Sequence, residues 1–194
     1  MIVTPLAHGL DLLKSDLVRS PGVHASDIYG DFYRRLDPKR YDFSARDADP
    51  DEEPLLMVLG SAWEHHFEKL LTLNGINAYR PTELLSPEGI AYSPDLIIFN
   101  GVTRLGEIKL TSMALDDCPT EVSNNLPPKF DKYLCQIKLY LHWLEMVDAW
   151  LAVLSIRQPW RPELRLFDLT FTPRELIDNH RMLMAHARHE GMLP

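Results

Sequence analysis

The sequence is poor in cysteine and in long apolar runs. Its two cysteines, Cys118 and Cys135, form no CxxC pair and supply too few thiolates for a zinc or iron–sulfur site. No apolar run is long enough to cross a bilayer, and the first residues lack the basic start and apolar stretch of a secretory signal. These absences predict a cytoplasmic protein with reduced thiols and no membrane partner.

Basic residues are fewer than acidic ones: 20 Lys and Arg against 28 Asp and Glu give a net charge of −8. This balance argues against a protein that coats nucleic acid by charge alone. It does not exclude an enzyme that acts on DNA, because such an enzyme can hold its acids around metal ions. The GxxxxGKS, HExxH and GxSxG motifs are absent as well, so an ATPase, a zinc peptidase or an α/β-hydrolase has no motif to support it.

The length of 194 residues, with 45% apolar and 25% charged residues, is ordinary for a globular protein with one substantial α/β core. We predict a single domain over residues 1–194. Within it, residues 1–54 form a helical and loop extension, residues 55–171 form the core, and residues 172–194 form a C-terminal helix.

The segment SPDLIIFNGVTRLGEIKL, residues 93–110, predicts two strands joined by a tight turn at Asn100-Gly101. Residues two apart on a strand share a face, so Glu107 and Lys109 are expected to point the same way. Asp95 on the neighbouring strand would meet Glu107 across the hairpin. Charged side chains are rarely buried unless they are paired or bind a metal. A surface salt bridge on an edge hairpin is the plain alternative.

An acid pair of this kind suits a hard divalent cation, which takes oxygen ligands and typically binds one or two carboxylates plus substrate phosphates. A metal between Asp95 and Glu107 would polarise a phosphodiester and lower the pKa of a bound water. Lys109 would hold the attacking water or neutralise the charge that develops.

A helix predicted over residues 55–73 places Glu64 one turn after Gly60. Glycine is unfavourable inside a helix, and here it would leave room for a metal, a water or a phosphate beside the carboxylate. The alternative is a solvated glutamate beside a glycine that serves packing.

A second helix, predicted over residues 130–147, carries Lys132, Gln136 and Tyr140 at steps of four residues along one line. A cation, an amide and a phenol on one line can grip phosphates or orient a water. A polar helix flank with an interfacial tyrosine is the alternative. Strands are also predicted over 149–156 and 164–171.

Near the N-terminus, Ser26 is predicted to cap a helix, and the turn before it contains Arg19. A turn followed by a helix start offers backbone N–H groups to an anion, and Arg19 could add a bidentate contact to phosphate. The alternative is an ordinary capped helix with a surface arginine.

The pair Pro94-Asp95 followed by Glu107-Ile108-Lys109 resembles the PD-(D/E)XK signature of the restriction-endonuclease-like nucleases. With Glu64 on the preceding helix and Q-x-x-x-Y on the following one, the order resembles the RecB-like and phage lambda exonuclease-like branch over residues 19–140. Its R-x-x-G-x-x-A-S element is similar to the spacing from Arg19 to Ser26. The Cas4-type branch is disfavoured because two cysteines cannot ligate a cluster that needs four.

The resemblance implies an α/β fold, a restriction-endonuclease-like core with a central mixed β-sheet flanked by helices. It implies a Mg²⁺- or Mn²⁺-dependent deoxyribonuclease, foremost an exonuclease that acts from DNA ends in recombination, repair or phage DNA processing. A structure- or sequence-selective endonuclease and a catalytically silent DNA-binding subunit are the alternatives. The implied partners are DNA, further copies of the chain in a homo-oligomer, and a recombination partner protein, in the host cytoplasm if the chain is phage-encoded.

The resemblance also assigns roles to individual residues. Asp95, Glu107 and the Ile108 carbonyl would hold one metal ion, and Glu64 would help to bind a second metal or its water. Lys109 would position the attacking water. Gln136 and Tyr140 would support the nucleophile or the DNA backbone. The residues expected to contact DNA are Arg19, Ser26, Lys132, Gln136 and Tyr140.

Overall fold

A computed structural model describes residues 20–36, 54–111, 126–158 and 160–194, and describes the side chains from residue 58 onward in the second range. The predicted phosphate-binding residue Arg19 lies outside these ranges. In chain order the elements are α1 (Ala25–Leu36), α2 (Pro54–Leu73), β1 (Asn77–Tyr79), β2 (Leu84–Leu85), β3 (Ala91–Tyr92), β4 (Leu96–Asn100), β5 (Val102–Thr111), α3 (Pro128–Trp143), β6 (Asp148–Ser155), β7 (Glu163–Thr170) and α4 (Pro173–His189). None of the helices in these ranges has the length and apolar character of a membrane span.

Five strands form one mixed sheet in the order β1-β4-β5-β6-β7, and β2 and β3 form a separate hairpin. The β4–β5 and β6–β7 pairs are antiparallel, whereas β5 and β6 are parallel. Parallel neighbours need a crossover connection, and α3 lies in it. The predicted fold class is therefore confirmed: a central mixed sheet flanked by helices, as expected of a restriction-endonuclease-like core.

The predicted hairpin between β4 and β5 is confirmed. The strands meet at the Asn100–Val102 pair, and Gly101 between them has a φ of +73°, in the left-handed region that favours glycine. Further along β5, Gly106 lies opposite Leu96. A Cβ atom at Gly106 would stand 2.8 Å from the Ile98 side chain, so a larger residue there would force Ile98 to shift.

The sheet is covered on both faces. The larger core cluster lies on one face and contains Leu105 of β5 together with buried residues of α1, α3 and α4. A smaller cluster on the other face packs Phe67 and Leu71 of α2 against Leu96 and Ile108. Because neighbouring residues on a strand point to opposite faces, this arrangement directs Glu107 toward α3 and Ile108 toward α2.

Two predicted helix boundaries are corrected. The first helix begins at Ala25, so Ser26 lies within its first turn and is not the N-cap; instead the Asp27 carboxylate accepts the His24 N–H at 3.1 Å. Helix α3 begins at Pro128, because proline suits a first helical position, and ends at Trp143, just before Glu145 adopts a positive φ of 54°. The C-terminal helix expected over residues 172–194 spans Pro173–His189, with a capping box between Thr172 and Glu175.

Candidate active site

Asp95 lies directly before β4, at the point where β5 extends beyond its partner. The β4–β5 ladder ends at the pair of Leu96 with Gly106. The Ile108 N–H, two residues further, donates to Asp95 Oδ2 at 2.7 Å. The Asp95 carboxylate thus accepts the hydrogen bond that the backbone of a longer β4 would accept. Because the N–H and C=O of one strand residue project to the same edge, the Ile108 carbonyl is directed to the same side as Asp95.

Glu107 is the most completely buried charged residue of the site, with 1% of its surface exposed. Its Oε1 accepts hydrogen bonds from Gln136 Nε2 at 2.6 Å and from Lys109 Nζ. Its other oxygen, Oε2, is buried and has no hydrogen-bond partner among the described residues. A buried charged oxygen without a partner is rare, because its desolvation is uncompensated.

Lys109 shares the face of Glu107, as predicted, and a fifth of its side-chain surface is exposed. Its ammonium lies 5.7 Å from the ring centroid of Tyr133. Burial opposes the charge on this lysine, but the Glu107 and Asp95 carboxylates outweigh burial and raise its pKa. Lys109 is therefore a cation at neutral pH.

The surroundings of Asp95 and Glu107 disfavour the ionised form of both side chains. Burial is the main cause that raises the pKa of Asp95, and the charge of Glu107 adds to it. Burial likewise raises the pKa of Glu107, although Lys109 pulls that pKa down. Two carboxyls that resist ionisation in one dry site favour a bound proton or a bound cation.

Glu64 lies at the edge of this group. Its negative charge contributes to the raised pKa of both Asp95 and Glu107, and its carboxylate Oε2 accepts a hydrogen bond from Arg80 Nη1 at 2.7 Å. Across the described ranges, no three His, Cys, Asp or Glu side chains converge as the ligands of one metal ion. The structure therefore brings Asp95 and Glu107 together as an acid pair, and the expected metal-ligand role of Glu64 stays a prediction.

The predicted line along α3 faces the interior. Gln136 and Tyr140 are 7% and 4% exposed, so both side chains are buried in the interior. Burial raises the pKa of Tyr140, and the neighbouring Tyr29 and Glu107 raise it further. Lys132 lies one turn before Gln136, with its ammonium 5.6 Å from the Tyr29 ring centroid.

The sequence interpretation missed Tyr29 and Arg80. Tyr29, on α1, is buried, and burial together with the charges of Glu107 and Asp95 raises its pKa. Its position next to Ile28 on a predicted helix was a signal that it faces the core. Arg80 follows β1 and had no such signal, because only the fold brings it to Glu64.

Ser26 is exposed in the first turn of α1. Its predicted DNA contact and that of Arg19 both stay predictions. The predicted DNA contacts of Lys132, Gln136 and Tyr140 also stay predictions, although these three residues lie beside the site.

The donor set fits a hard divalent cation. Asp95 and Glu107 provide carboxylate oxygens, and the Ile108 carbonyl provides a neutral oxygen at the same edge of β5. The unpartnered Oε2 of Glu107 is the atom that most needs a cation. Nitrogen and sulfur donors are not part of this set, which favours Mg²⁺ or Mn²⁺ over softer metals.

No protein-family model matches the chain, and no curated protein matches it. Among solved structures, the chain is similar to the crystal structure of SSO0001, with 14% identity and a TM-score of 0.45 over 91% of this chain and 81% of that chain. It is also similar to the crystal structure of LHK-Exo in complex with dAMP, with 16% identity and a TM-score of 0.45 over 69% of each chain.

Proposed function

We propose that this protein is a Mg²⁺- or Mn²⁺-dependent nuclease that hydrolyses phosphodiester bonds of DNA. The observation that carries the proposal is the buried Glu107, whose Oε1 accepts two donors while its Oε2 has no partner among the described residues beside a second acid, Asp95. Leaving a buried acceptor unpaired costs about 1–3 kcal/mol, and more for a charged group. A cation would compensate this cost.

Asp95, Glu107 and the Ile108 carbonyl would hold the metal ion. When bound, it would polarise the phosphodiester and lower the pKa of water. Gln136 supports this role because its amide fixes the orientation of Glu107, as outer partners of metal ligands do.

We assign Lys109 the role of a cation; in the metal-free protein the Glu107 and Asp95 carboxylates raise its pKa. Its ammonium donates to Glu107 and keeps part of its surface open to solvent. In this position it can donate to the attacking water and balance the negative charge that develops on the phosphoryl oxygens. Tyr140 and Tyr29 are phenols with raised pKa values, so both remain neutral hydrogen-bond donors.

Within this class we propose an exonuclease that acts from DNA ends in recombination, repair or phage DNA processing. This finer assignment follows the order of motifs along the chain. A structure- or sequence-selective endonuclease and a silent DNA-binding subunit are its competitors. The homo-oligomer, the recombination partner protein and the cytoplasmic location stay predictions of the same kind.

One assay tests both levels of the proposal. Linear duplex DNA, covalently closed circular DNA and a duplex RNA of equal length are incubated with Mg²⁺, Mn²⁺ or EDTA. An exonuclease consumes only the linear DNA, and only with metal. Cleavage of the closed circle would identify an endonuclease, and no metal-dependent cleavage of any substrate would contradict the nuclease assignment.

A further inference from the structure

The guanidinium of Arg80 is partly buried, and one of its edges makes no hydrogen bond to the described residues. It follows β1 directly, and its Nη1 donates to Glu64 Oε2 at 2.7 Å. Its Nε and Nη2 atoms are buried, and neither has a hydrogen-bond partner among the described residues. Buried donors without acceptors are unfavourable and rare, so this edge calls for an acceptor that the described residues do not supply.

The two unpaired nitrogens lie on the same side of the planar guanidinium. Nε–H and Nη2–H form the parallel fork that binds two oxygens of one carboxylate or phosphate. The remaining nitrogen, Nη1, is anchored by Glu64, which fixes the plane of the group. A fork that is fixed in this way loses little conformational entropy when an oxyanion binds.

The position of Arg80 favours phosphate as that oxyanion. Strand β1 pairs antiparallel with β4, with Tyr79 opposite Ile97, so Arg80 follows β1 at the end of the sheet where Asp95 precedes β4. The acids alone would repel a polyanionic chain, and a cation on their rim offsets this repulsion. About 30% of the Arg80 side chain is exposed, so the anchored guanidinium borders the solvent.

We infer that Arg80 binds a backbone phosphate of the nucleic-acid substrate, through its Nε–Nη2 edge and next to the acid pair. This inference rests on the proposed nuclease function and deepens it. The contact is to the phosphate and not to a base, so it positions the chain and carries no sequence specificity.

Arg104 provides a matched control. It also has a buried Nε without a hydrogen bond, but its Nη1 donates to the Asn100 carbonyl at 3.2 Å. Its guanidinium lies over the Trp150 ring and 3.8 Å from Asp168, and Glu64 is not among its partners. Substitution of Arg104 therefore removes the same charge without touching the rim of the acid pair.

The test measures duplex DNA binding by fluorescence anisotropy across a range of KCl, with Ca²⁺ in place of Mg²⁺ and with the duplex checked for integrity. Arg80→Gln is expected to weaken binding roughly tenfold for every sequence and to reduce the slope of log K against log salt by about 1. Arg104→Gln is expected to match the wild-type slope. Equal slopes for Arg80→Gln and Arg104→Gln would overturn the inference.

Arg80→Lys keeps the charge beside Glu64 but cannot form the two-point contact. It is expected to keep the wild-type slope and melting temperature while binding several-fold more weakly, a result that a purely structural role for the ion pair does not give. If Arg80→Gln fails to fold, wild-type affinity in Arg80→Lys overturns the inference. Cleavage of linear DNA by the wild-type protein is measured in parallel. If the wild type cleaves DNA and the Arg80 variants bind DNA as the wild type does, only this inference is removed. If the wild type does not cleave DNA, the proposed function is removed as well.

Discussion

Two glutamates of this molecule, Glu88 and Glu107, differ in burial and in how their two oxygens are hydrogen-bonded. Each lies at least partly buried beside α3 and accepts hydrogen bonds from two side chains. Glu88 lies in the turn between β2 and β3. One of its oxygens accepts a hydrogen bond from His180 Nε2 at 2.9 Å, and the other accepts one from Trp143 Nε1 at 3.1 Å. Glu107 receives both of its donors on one oxygen and leaves the other without a partner among the described residues.

The pKa values of the two acids follow this difference. Burial acts to raise the pKa of Glu88, but hydrogen bonds from Ser86 and His180 outweigh it and the net pKa is lowered. For Glu107 burial outweighs Lys109, and the pKa is raised. Glu88 is satisfied within the protein and serves the fold, whereas Glu107 is the acid for which we propose a metal ion as partner. The Glu88 side chain is 23% exposed and the Glu107 side chain is fully buried, so burial and hydrogen-bond satisfaction together separate the structural acid from the candidate metal ligand.

The sharpest way to break this comparison is to neutralise each glutamate in turn. Glu107→Gln is expected to lower metal-dependent cleavage on the order of 10³-fold or more, since it removes a charged ligand from the metal. Glu88→Gln is expected to keep cleavage within about twofold and to lower the free energy of unfolding by about 1–3 kcal/mol. Initial rates and urea denaturation measure the two effects. Equal rates for both variants would contradict the distinction.

Replacing Lys109, whose ammonium donates to Glu107, is expected to have the next largest effect. Lys109→Met should lower the rate of cleavage by about 10²–10³-fold, because the charge that develops on the phosphoryl group loses its counter-ion. Folding is expected to survive, since the side chain is partly exposed. Circular dichroism checks the fold, and full activity in a folded Lys109→Met protein would remove the catalytic role.

A smaller effect is expected from the neutral donors of the two glutamates. Gln136→Met should weaken metal binding about 10–100-fold, because Glu107 loses the amide that orients it. The counterpart Trp143→Phe removes a donor to Glu88 and should leave metal affinity unchanged. Titration calorimetry with Mn²⁺ measures both affinities, and a loss in Trp143→Phe as large as in Gln136→Met would refute the assignment.

The two sites are expected to respond to pH in opposite directions. Asp95 and Glu107 have raised pKa values in the folded protein, so the metal-free protein loses stability as pH rises from about 4 through those values, by at most about 1.4 kcal/mol per pH unit for each group. Glu88, whose pKa is lowered, contributes stability above about pH 4 that is lost on acidification.

Urea denaturation of wild type and Asp95→Asn between pH 4 and 8 measures this response. The asparagine should remove part of the loss at high pH, since its oxygen still accepts the Ile108 N–H. Mn²⁺ affinity should rise with pH over the same range, because ligands must lose protons to bind. A wild-type stability that is flat in pH and unaffected by the substitution would count against the raised pKa of Asp95.

The smallest effect is expected at Gly60, one turn before Glu64. A Cβ atom there meets no heavy atom within 4 Å, so Gly60→Ala should raise the free energy of unfolding by about 1 kcal/mol through helix propensity. If this open space admits a ligand to Glu64, cleavage should fall while stability rises. A gain in stability with unchanged cleavage would place Glu64 outside the reacting group.

Local patterns in the sequence predicted the frame of the site but not all of its contacts. The Asn100-Gly101 turn and the two-residue period of β5 were sufficient to place Glu107 and Lys109 on one face. The Thr172 cap of α4 was predictable for the same reason, because a capping box is a local arrangement.

Contacts that depend on tertiary packing could not be predicted in this way. Because β4 begins only at Leu96, the Ile108 N–H donates to the Asp95 carboxylate instead of to a strand partner. No periodicity in the sequence indicates this contact. Arg80 reaches Glu64 because β1 packs beside α2, and Tyr29 reaches Tyr140 because α1 packs on α3. The partners that decide whether each charge is satisfied are therefore set by the fold.

The hydrogen bond from the Ile108 amide to Asp95 gives the backbone a spectroscopic probe. The chemical shift of an amide proton depends strongly on the charge of its acceptor, and this acceptor is a titrating carboxyl. In a two-dimensional ¹⁵N–¹H spectrum, the Ile108 peak should move once when Asp95 gains a proton and differently when the carboxyl binds an ion. A single backbone resonance of the ¹⁵N-labelled protein would thus report the occupancy of the centre without any substitution.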